Sequence, residues 1–252
     1  MEVFNIIFMF IIGTIFGSFY NVIGFRLPKG QSIVFPPSHC PNCNHRLTPI
    51  ELIPIISYII SKGKCKNCKQ KISPFYIMFE LLTGILFSLS YIVFGLTPNL
   101  IIPLTFISML IIIMVSDYNY MIINDSILII FTIILIIEIL ILYGPQILLK
   151  HILAAILAFI TMFLLKKLGD ILFKKESMGG GDIKLLGVFG LVIGYPMSLL
   201  AIFLGAIIAL PISLITIKNN KDHIIPFGPF LALGAIIVLL SKLNFSSIIN
   251  IL

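Results

Sequence analysis

Long apolar runs separated by short polar stretches dominate the chain. The apolar runs occupy residues 3–25, 75–94, 100–115, 126–143, 148–165, 183–193, 197–217 and 225–242. A helix that crosses a membrane needs roughly 20 mainly apolar residues. The pattern therefore predicts an all-α polytopic membrane protein with about eight transmembrane helices. The run 183–193 is too short to cross alone, so we expect it to cross a thinned bilayer, to start in a wet cavity or to be re-entrant.

Composition and charge placement support a membrane protein. Charged residues make up 11% of the chain and hydrophobic residues 59%, whereas soluble domains carry about 25% charged residues. The net charge of +7 comes from loops: of 17 Lys and Arg, 8 lie in residues 26–74, 5 in 166–184 and 2 in 218–222. This distribution follows the positive-inside rule. It predicts cytoplasmic loops, both termini outside, and no nucleic-acid partner.

All four cysteines lie in the one sizeable polar region, residues 26–74. They form two pairs, Cys40-x2-Cys43 and Cys65-x2-Cys68, a spacing that brings four thiolates around a tetrahedral Zn²⁺. Two disulfides are the alternative, but they seldom persist in the cytosol, where the basic charge places this loop. The apolar run 52–60 is too small to form a core, so we expect structural zinc to fold the loop. His39 and His45 flank the first pair and are possible substitutes for a thiolate.

Two aspartates are candidates for chemistry. Asp182 ends the run Met178-Gly179-Gly180-Gly181-Asp182, where three glycines permit positive φ angles and close packing against another segment or a substrate. Asp117 ends the apolar run 109–116. An ionisable group at a membrane boundary is costly unless it is paired or hydrated, so two such groups form a functional hypothesis.

Other polar residues near the predicted helix ends have several interpretations. Asp125 precedes Ser126 at a predicted helix N-terminus, so we interpret it as a cap and Asp117 as the chemical group. Asn21 follows the small-residue pair Gly13 and Gly17, and either hydrogen-bonds a neighbouring helix or lines a substrate groove. Glu80, about one turn inside the second long helix, either pairs with a basic loop residue or holds a site residue in place.

Paired carboxylates can hydrolyse a peptide bond without a covalent intermediate. Two neighbouring carboxylates share one proton, so one acts as a general base on water and the other as a general acid on the carbonyl. The G-x-S-x-G and H-E-x-x-H motifs of serine and metalloproteases are missing from the sequence. A proton-coupled membrane transporter is the alternative, because intramembrane carboxylates also relay protons. Against it, both aspartates are expected on one membrane face, and no internal repeat is evident.

The order and spacing of several motifs resemble the bacterial type IV prepilin peptidases, which are membrane aspartic proteases of the glycine-x-glycine-aspartate class. The resemblance covers nearly the whole chain. The matching motifs are Gly17-Ser18-Phe19 with Asn21-Val22 and Arg26-Leu27-Pro28; both cysteine pairs; Ile72-Ser73 with Tyr76 and Glu80-Leu81-Leu82-Thr83-Gly84; Asp117 with Asp125; residues 178–182 with Lys184-Leu185-Leu186; and Pro226-Phe227-Gly228-Pro229-Phe230.

This resemblance implies that Asp117 and Asp182 are the catalytic pair. It implies cleavage of leader peptides from prepilins or pseudopilins, after a glycine and on the cytoplasmic side of the bacterial inner membrane. Many family members also methylate the new N-terminus with S-adenosylmethionine. The chain departs from the family where Asn124 replaces a usual proline, and where Phe75 and Ile77 replace a common Arg and Pro.

We expect several other residues of these motifs to support the catalytic pair. Residues 179–181 would let the substrate backbone lie extended beside Asp182, and Asn21, Glu80 and Lys184 would support the site or the leader. The predicted organisation is a first transmembrane helix at 1–25, a tetracysteine zinc loop at 26–74, and a transmembrane catalytic core at 75–252. The bilayer is the permanent partner, and prepilins or pseudopilins are the substrates.

Overall fold

The computed structural model describes residues 1–174, 178–219 and 225–242, and these ranges contain helices and no strand. Most of the predicted basic loop at 218–223 lies outside the described residues. The α-helices are α1 Glu2–Arg26, α2 Ile56–Ile60, α3 Phe75–Phe94, α4 Ile101–Tyr120, α5 Asp125–Tyr143, α6 Pro145–Phe173, α7 Gly180–Ile193, α8 Tyr195–Asn219 and α9 Gly228–Ser241.

Six helical segments of the described chain are long and apolar enough to cross a membrane. They are Glu2–Lys29, Phe75–Phe94, Pro98–Tyr120, Asp125–Tyr143, Pro145–Phe173 and Tyr195–Ile215. The prediction of an all-helical polytopic membrane protein is confirmed, but the count differs from eight. Helices α7 and α9 have 14 residues each. At about 1.5 Å per residue each extends only about 21 Å, short of the roughly 30 Å of hydrocarbon.

The described chain forms two compact units, Met1–Leu96 and Thr97–Leu252. In the first unit α1 packs along α3, and small residues set the separation of the two helices. A Cβ atom at Gly13 would lie 2.8 Å from the Gly84 Cα, and one at Gly17 would lie 3.0 Å from the Glu80 Cα. Gly13 and Gly17 therefore allow α1 and α3 to pack closely.

The second unit is built around α4, whose residues 106–115 are all buried. The sequence of α4 is apolar on every side, which suits a helix with neighbours on every side. It packs against α5 and α9, and the Phe106 ring meets the Phe189 ring of α7 edge-on at 5.7 Å. Helix α7 also packs closely on α6, where a Cβ at Gly190 would lie 2.6 Å from the Ala154 carbonyl oxygen.

Two helix ends differ from the prediction. Helix α4 continues past residue 115 to Tyr120 and stops at Met121, which has a left-handed φ of 55° and donates its N–H to the Asp117 carbonyl at 2.8 Å. Asp117 therefore lies inside the last turn of a helix. Helix α6 runs to Phe173 rather than to residue 165, because Lys166 and Lys167 have high helix propensity and continue the helix beyond the apolar run.

Candidate active site and metal centre

Asp117 is a buried carboxylate that contacts the first turn of α9. Its side chain is 6% exposed, and its Oδ2 accepts the backbone N–H of Gly228 at 2.9 Å. Gly228 is the first residue of α9, and the next residue, Pro229, has no N–H to donate. The unpaired N–H groups at a helix N-terminus carry partial positive charge, so this contact favours the ionised carboxylate.

Only glycine fits at this contact. A Cβ atom at position 228 would lie 2.8 Å from Asp117 Oδ2 and 3.1 Å from its Cγ. The sequence motif Pro226-Phe227-Gly228-Pro229 contributes to the family resemblance, but its physical role is not evident from the sequence. The sequence does contain a signal for this contact: a glycine followed by a proline at the start of an apolar run. This pattern is typical of a helix N-terminus that approaches another group closely.

Asp182 lies in the first turn of α7 and is half-buried. Helix α7 is not one of the six long helices. Its carboxylate accepts the backbone N–H of Gly179. Burial, and after it the negative charge of Asp117, raises the pKa of Asp182 to about 6. The two aspartates chosen from the sequence therefore lie within electrostatic reach of each other in the second unit.

The glycine run adopts an ordinary helix start, and the positive φ angles that its glycines permit are not adopted. Gly179 is extended, with φ −66° and ψ 147°, and Gly180 and Gly181 are the first two residues of α7. The expected close packing is found at Gly181, where a Cβ would lie 2.8 Å from the Ile123 Cβ in the turn between α4 and α5. A Cβ at Gly180 would meet nothing within 4 Å.

Asp125 does not cap α5, so that interpretation is corrected. The cap is Asn124, whose Oδ1 accepts the Ser126 N–H at 2.9 Å, because an amide oxygen at the N-cap position can reach this donor. Asp125 is the first residue of α5, and both of its carboxylate oxygens accept from Lys184 Nζ, at 2.7 and 2.8 Å. This exposed ion pair joins the start of α5 to the first turns of α7, two residues beyond Asp182.

Asn21 and Glu80 belong to the first unit, and their described partners are there. Asn21 is 2% exposed; its Nδ2 donates to the Tyr76 carbonyl at 3.1 Å, and its Oδ1 has no partner among the described residues. Glu80 is buried, and its Oε2 accepts the Ile55 backbone N–H at 2.8 Å. Both bonds join segments of the first unit, and a role of either residue toward a substrate remains a prediction.

The four cysteines converge on one point. Their Sγ atoms all lie within 4.8 Å of one another, with 3.8 Å between Cys40 and Cys68 and 3.9 Å between Cys43 and Cys65. Thiolates bound at about 2.3 Å to one tetrahedral ion lie about 3.8 Å apart. All four thiols are free in the structure. The predicted tetracysteine cluster is thus present and could hold a metal ion.

The two cysteine pairs have the same backbone conformation. In the first, Cys40 N–H bonds the His45 carbonyl and Asn44 N–H bonds the Cys40 carbonyl, with φ 56° at Asn44. In the second, Cys65 N–H bonds the Gln70 carbonyl and Lys69 N–H bonds the Cys65 carbonyl, with φ 59° at Lys69. Each loop also contains one antiparallel bridge. The repeated turn presents two thiols from each loop to a shared centre.

Nearby donors favour the thiolate form of two of the cysteines, Cys68 and Cys40. The pKa of Cys43 is raised: the His45 backbone N–H lowers it, but burial and the sulfurs of Cys68 and Cys40 together outweigh that bond. The Gln70 backbone N–H, followed by the Asn42 side chain, lowers the pKa of Cys68 to about 6. Backbone N–H groups of Asn42 and Cys43 also lower the pKa of Cys40. Asn42 and Asn67 each donate a side-chain N–H to a sulfur of the opposite pair, at 3.7 Å. Such outer contacts orient metal ligands.

The histidines beside the first pair are not members of the cluster. His45 Nε2 lies 3.4 Å from Glu51 Oε2, and His39 Nδ1 lies 2.9 Å from the Pro37 carbonyl. Glu51 also accepts the backbone N–H and the hydroxyl of Thr48, and these bonds lower the pKa of Glu51 to about 2. The described donor set is therefore four cysteines, without the histidine substitution left open by the sequence.

The fold and the two sites define a multi-pass membrane protein with a carboxylate pair and a separate tetracysteine loop. Two family models match it: the bacterial peptidase A24 N-terminal domain at residues 11–94, and the type IV leader peptidase family at residues 104–214. The chain belongs to the type IV leader peptidase family.

Curated relatives agree over most of the chain. A prepilin leader peptidase/N-methyltransferase of Bacillus subtilis is 38% identical over 92% of this chain and 92% of its own length. One from Aeromonas salmonicida is 30% identical over 94% and 90%, and a type 4 prepilin-like protein leader peptide-processing enzyme of Escherichia coli is 30% identical over 89% of each. No solved structure matches the chain.

Proposed function

We propose that the protein is a membrane aspartic endopeptidase that removes leader peptides from type IV prepilins or pseudopilins after a glycine. The observation that carries this proposal is the proximity of Asp117 and Asp182 in a chain of this family. The charge of Asp117 acts directly on the Asp182 carboxyl. Two carboxyls whose charges interact titrate as a pair, so one can act as a general base while the other acts as a general acid.

The environments of the two carboxyls suggest separate roles. Asp117 receives the Gly228 N–H at the positive end of α9, which favours the ionised form and suits a base that takes a proton from the attacking water. The raised pKa of Asp182 suits the group that keeps the shared proton and donates it to the scissile carbonyl oxygen. As the tetrahedral intermediate collapses, the proton that Asp117 took from water passes to the leaving amine, and a hydroxyl proton of the intermediate returns to Asp182. The C–N bond breaks, and the leader is released with a new C-terminal carboxyl group.

Neighbouring residues would position this pair. Gly181 lets the first turn of α7 lie directly against Ile123, in the turn between α4 and α5. The Lys184–Asp125 ion pair fixes the same turn of α7 to α5. Gly180, beside which there is open space, would let an extended substrate backbone approach Asp182.

The tetracysteine loop would hold a structural Zn²⁺ through Cys40, Cys43, Cys65 and Cys68. Zinc favours four thiolates in a tetrahedron, and four protein ligands leave no open position for water or substrate. The sulfur separations of 3.8 and 3.9 Å suit this geometry. The ion would fix the fold of the loop and take no part in hydrolysis.

The substrate determines where the site must lie. A prepilin has a basic leader followed by a long apolar helix, so the bond to be cut lies near the inner surface of the cytoplasmic membrane. The positive charge of the loop at 26–74 and of residues 166–184 supports a cytoplasmic position for the helix ends that carry both aspartates. The protein would therefore act on the cytoplasmic face of the bacterial inner membrane.

A second activity accompanies cleavage. Two of the relatives described above are named leader peptidase/N-methyltransferases, so the protein would also methylate the new N-terminal amine with S-adenosylmethionine as the methyl donor. Family membership favours this bifunctional enzyme over the proton-coupled transporter.

The test is co-expression with a candidate prepilin, followed by mass measurement of the mature N-terminus. One mass reports both leader removal and methylation. Asp117→Ala and Asp182→Ala should each slow leader removal by about 10²–10⁴-fold, the usual contribution of a general acid or base. Glu2→Ala, which changes an exposed acidic residue at the start of α1, is the matched control. Full processing by either aspartate variant would refute the carboxylate pair.

A further inference from the structure

Helix α2 turns an apolar face outward. Ile56, Ile59 and Ile60 are 54, 63 and 65% exposed, and the spacing i, i+3, i+4 places them on one side of the helix. The preceding turn, Pro49–Leu52, and the residue after it add three more exposed apolar side chains: Ile50, Leu52 and Ile53. A cluster of exposed apolar side chains within twelve residues is typical of an interaction site.

Most backbone N–H groups of the same segment are already paired. Seven N–H groups of this segment donate hydrogen bonds beyond those within α2. They belong to Glu51, Leu52, Ile53, Ile55, Ile56, Ser57 and Ile59. Non-helical backbone near lipid is tolerated only where its polar groups are satisfied. This pairing lowers the cost of placing the segment against a bilayer.

One hydrogen bond fixes the position of α2 along the long axis of α3, a membrane-crossing helix of the same unit. Ile55 N–H donates to Glu80 Oε2 at 2.8 Å. Glu80 follows the first residue of α3, Phe75, by five positions, about 7–8 Å along the helix axis. Helix α3 has 20 residues, about the 30 Å of the hydrocarbon layer. The bond thus holds α2 beside the first turns of the crossing helix, and not far out in water.

The backbone at Ile55 indicates that this position is specified by the fold. Ile55 has φ 62° and ψ −55°, a conformation that a β-branched residue rarely adopts. Such strain persists only where the surrounding structure holds it. Here the holding contact is the buried Glu80 carboxyl, which accepts the Ile55 N–H.

The charges around the apolar face suit an anionic lipid surface. Five lysines, all exposed, follow α2 within eleven residues: Lys62, Lys64, Lys66, Lys69 and Lys71. The whole loop at 26–74 contains 8 basic residues and a single acidic residue, Glu51. Basic clusters beside a membrane helix are attracted to anionic headgroups.

We propose that the segment Pro49–Ile60 lies in the membrane interface, with the outward face of α2 among the upper acyl chains and the following lysines at anionic headgroups. Interfacial helices bury their apolar faces about 5–10 Å into this boundary. That depth agrees with the level set by the bond to Glu80. The occupant of the apolar face is the bilayer itself, and the proposal is independent of the peptidase activity.

The chain contains no tryptophan, so one introduced indole reports a single position. Ile59→Trp in the full-length protein, reconstituted in lipid nanodiscs containing phosphatidylglycerol, is compared with Gln70→Trp, an exposed polar position of the second cysteine loop. We expect the indole at 59 to be quenched by brominated acyl chains and shielded from aqueous iodide, and the indole at 70 to show the reverse. Ile60→Trp, on the same face, repeats the test if Ile59→Trp does not fold.

Each other result contradicts a stated part of the proposal. An indole at 59 or 60 that iodide reaches and brominated lipid does not would place the face in water. Shielding from both quenchers would mean that protein covers it. The lysine contribution requires stronger lipid quenching with phosphatidylglycerol than with phosphatidylcholine, and equal quenching would refute that contribution.

Discussion

The backbone N–H of Gly228 donates to Asp117 Oδ2 across 2.9 Å, and no side chain larger than hydrogen fits between them. The bond connects the first residue of α9 with the last turn of α4. It gives the Pro226-Phe227-Gly228-Pro229 motif a physical role, because a helix N-terminus placed on a buried carboxylate stabilises its negative charge.

Gly228→Ala should therefore lower leader cleavage. The added Cβ would lie 2.8 Å from Asp117 Oδ2 and would displace either the carboxylate or the start of α9. Loss of one charge-assisted hydrogen bond, about 1.5–3 kcal/mol, predicts a decrease in kcat of about 10- to 100-fold. Gly187→Ala in α7, where the nearest atom would be at 3.5 Å, is the control. Equal cleavage by the two variants would contradict the role of Gly228.

The glycine run contains its own matched pair of substitutions. Gly181→Ala places a Cβ 2.8 Å from the Ile123 Cβ, whereas Gly180→Ala meets nothing within 4 Å. In assays with a short leader substrate, we expect Gly181→Ala to lose most activity and Gly180→Ala to lose less. Gly180→Ala should lose more activity with the full prepilin than with the short substrate if the substrate passes beside Gly180. If Gly181→Ala is fully active, the close packing on Ile123 is not needed.

Asp182→Asn should stabilise the folded protein at neutral pH while it abolishes cleavage. The folded carboxyl has a pKa raised to about 6, so the wild-type protein loses stability as pH rises from the unfolded value of 3.8 through about 6. The amide does not titrate and can still accept the Gly179 N–H. We expect a higher Tm than wild type at about pH 7.5 and no gain at about pH 3.5. An equal difference at both pH values would contradict the raised pKa.

Breaking the Lys184–Asp125 ion pair should affect cleavage more than stability. Both side chains are exposed, so the pair contributes only about 0–1 kcal/mol to folding. Lys184→Met frees the turn that carries Asp182, and loss of about 0.5–1 kcal/mol of transition-state stabilisation predicts a two- to five-fold lower kcat. The reversed pair Lys184→Asp with Asp125→Lys should recover part of that loss. No recovery in kcat, or a fall in Tm as large as that of a core substitution, would argue against positioning by this pair.

Removing the metal should unfold the loop at 26–74 and leave the membrane helices intact. We expect one zinc per chain in the purified protein, and Cys65→Ser or chelation should lower it and expose the loop to trypsin at its lysines. His45→Gln, which changes a neighbour outside the cluster, should retain zinc. Zinc-free protein with an equally resistant loop would contradict a structural metal.

Much of the fold and the site could be predicted because each depends on local signals. Apolar run length predicts the long helices, cysteine spacing predicts the thiol cluster, and carboxylates at the ends of apolar runs identify Asp117 and Asp182 as a candidate pair. The family model matches and relatives confirm the resemblance to leader peptidases. The assignment of chemistry to particular side chains remains a prediction for the experiments above.

The missed features depend on contacts between distant segments. The roles of Gly228 and of the Lys184–Asp125 pair are set by tertiary packing, which the local pattern around each residue does not encode. Asp125 and Asn124 compete for the same cap, and propensity alone ranks them equally. The helical start of the glycine run was missed because three glycines permit a positive φ without requiring it.

The donor to Asp117 lies 111 residues further along the chain, in α9. During synthesis, both aspartates are therefore made before Gly228, whose N–H donates to Asp117. Proteolytic competence would arise only when this late helix reaches its place, so a ribosome-bound chain stalled before residue 228 should be inert toward prepilin even though its carboxylate pair is complete.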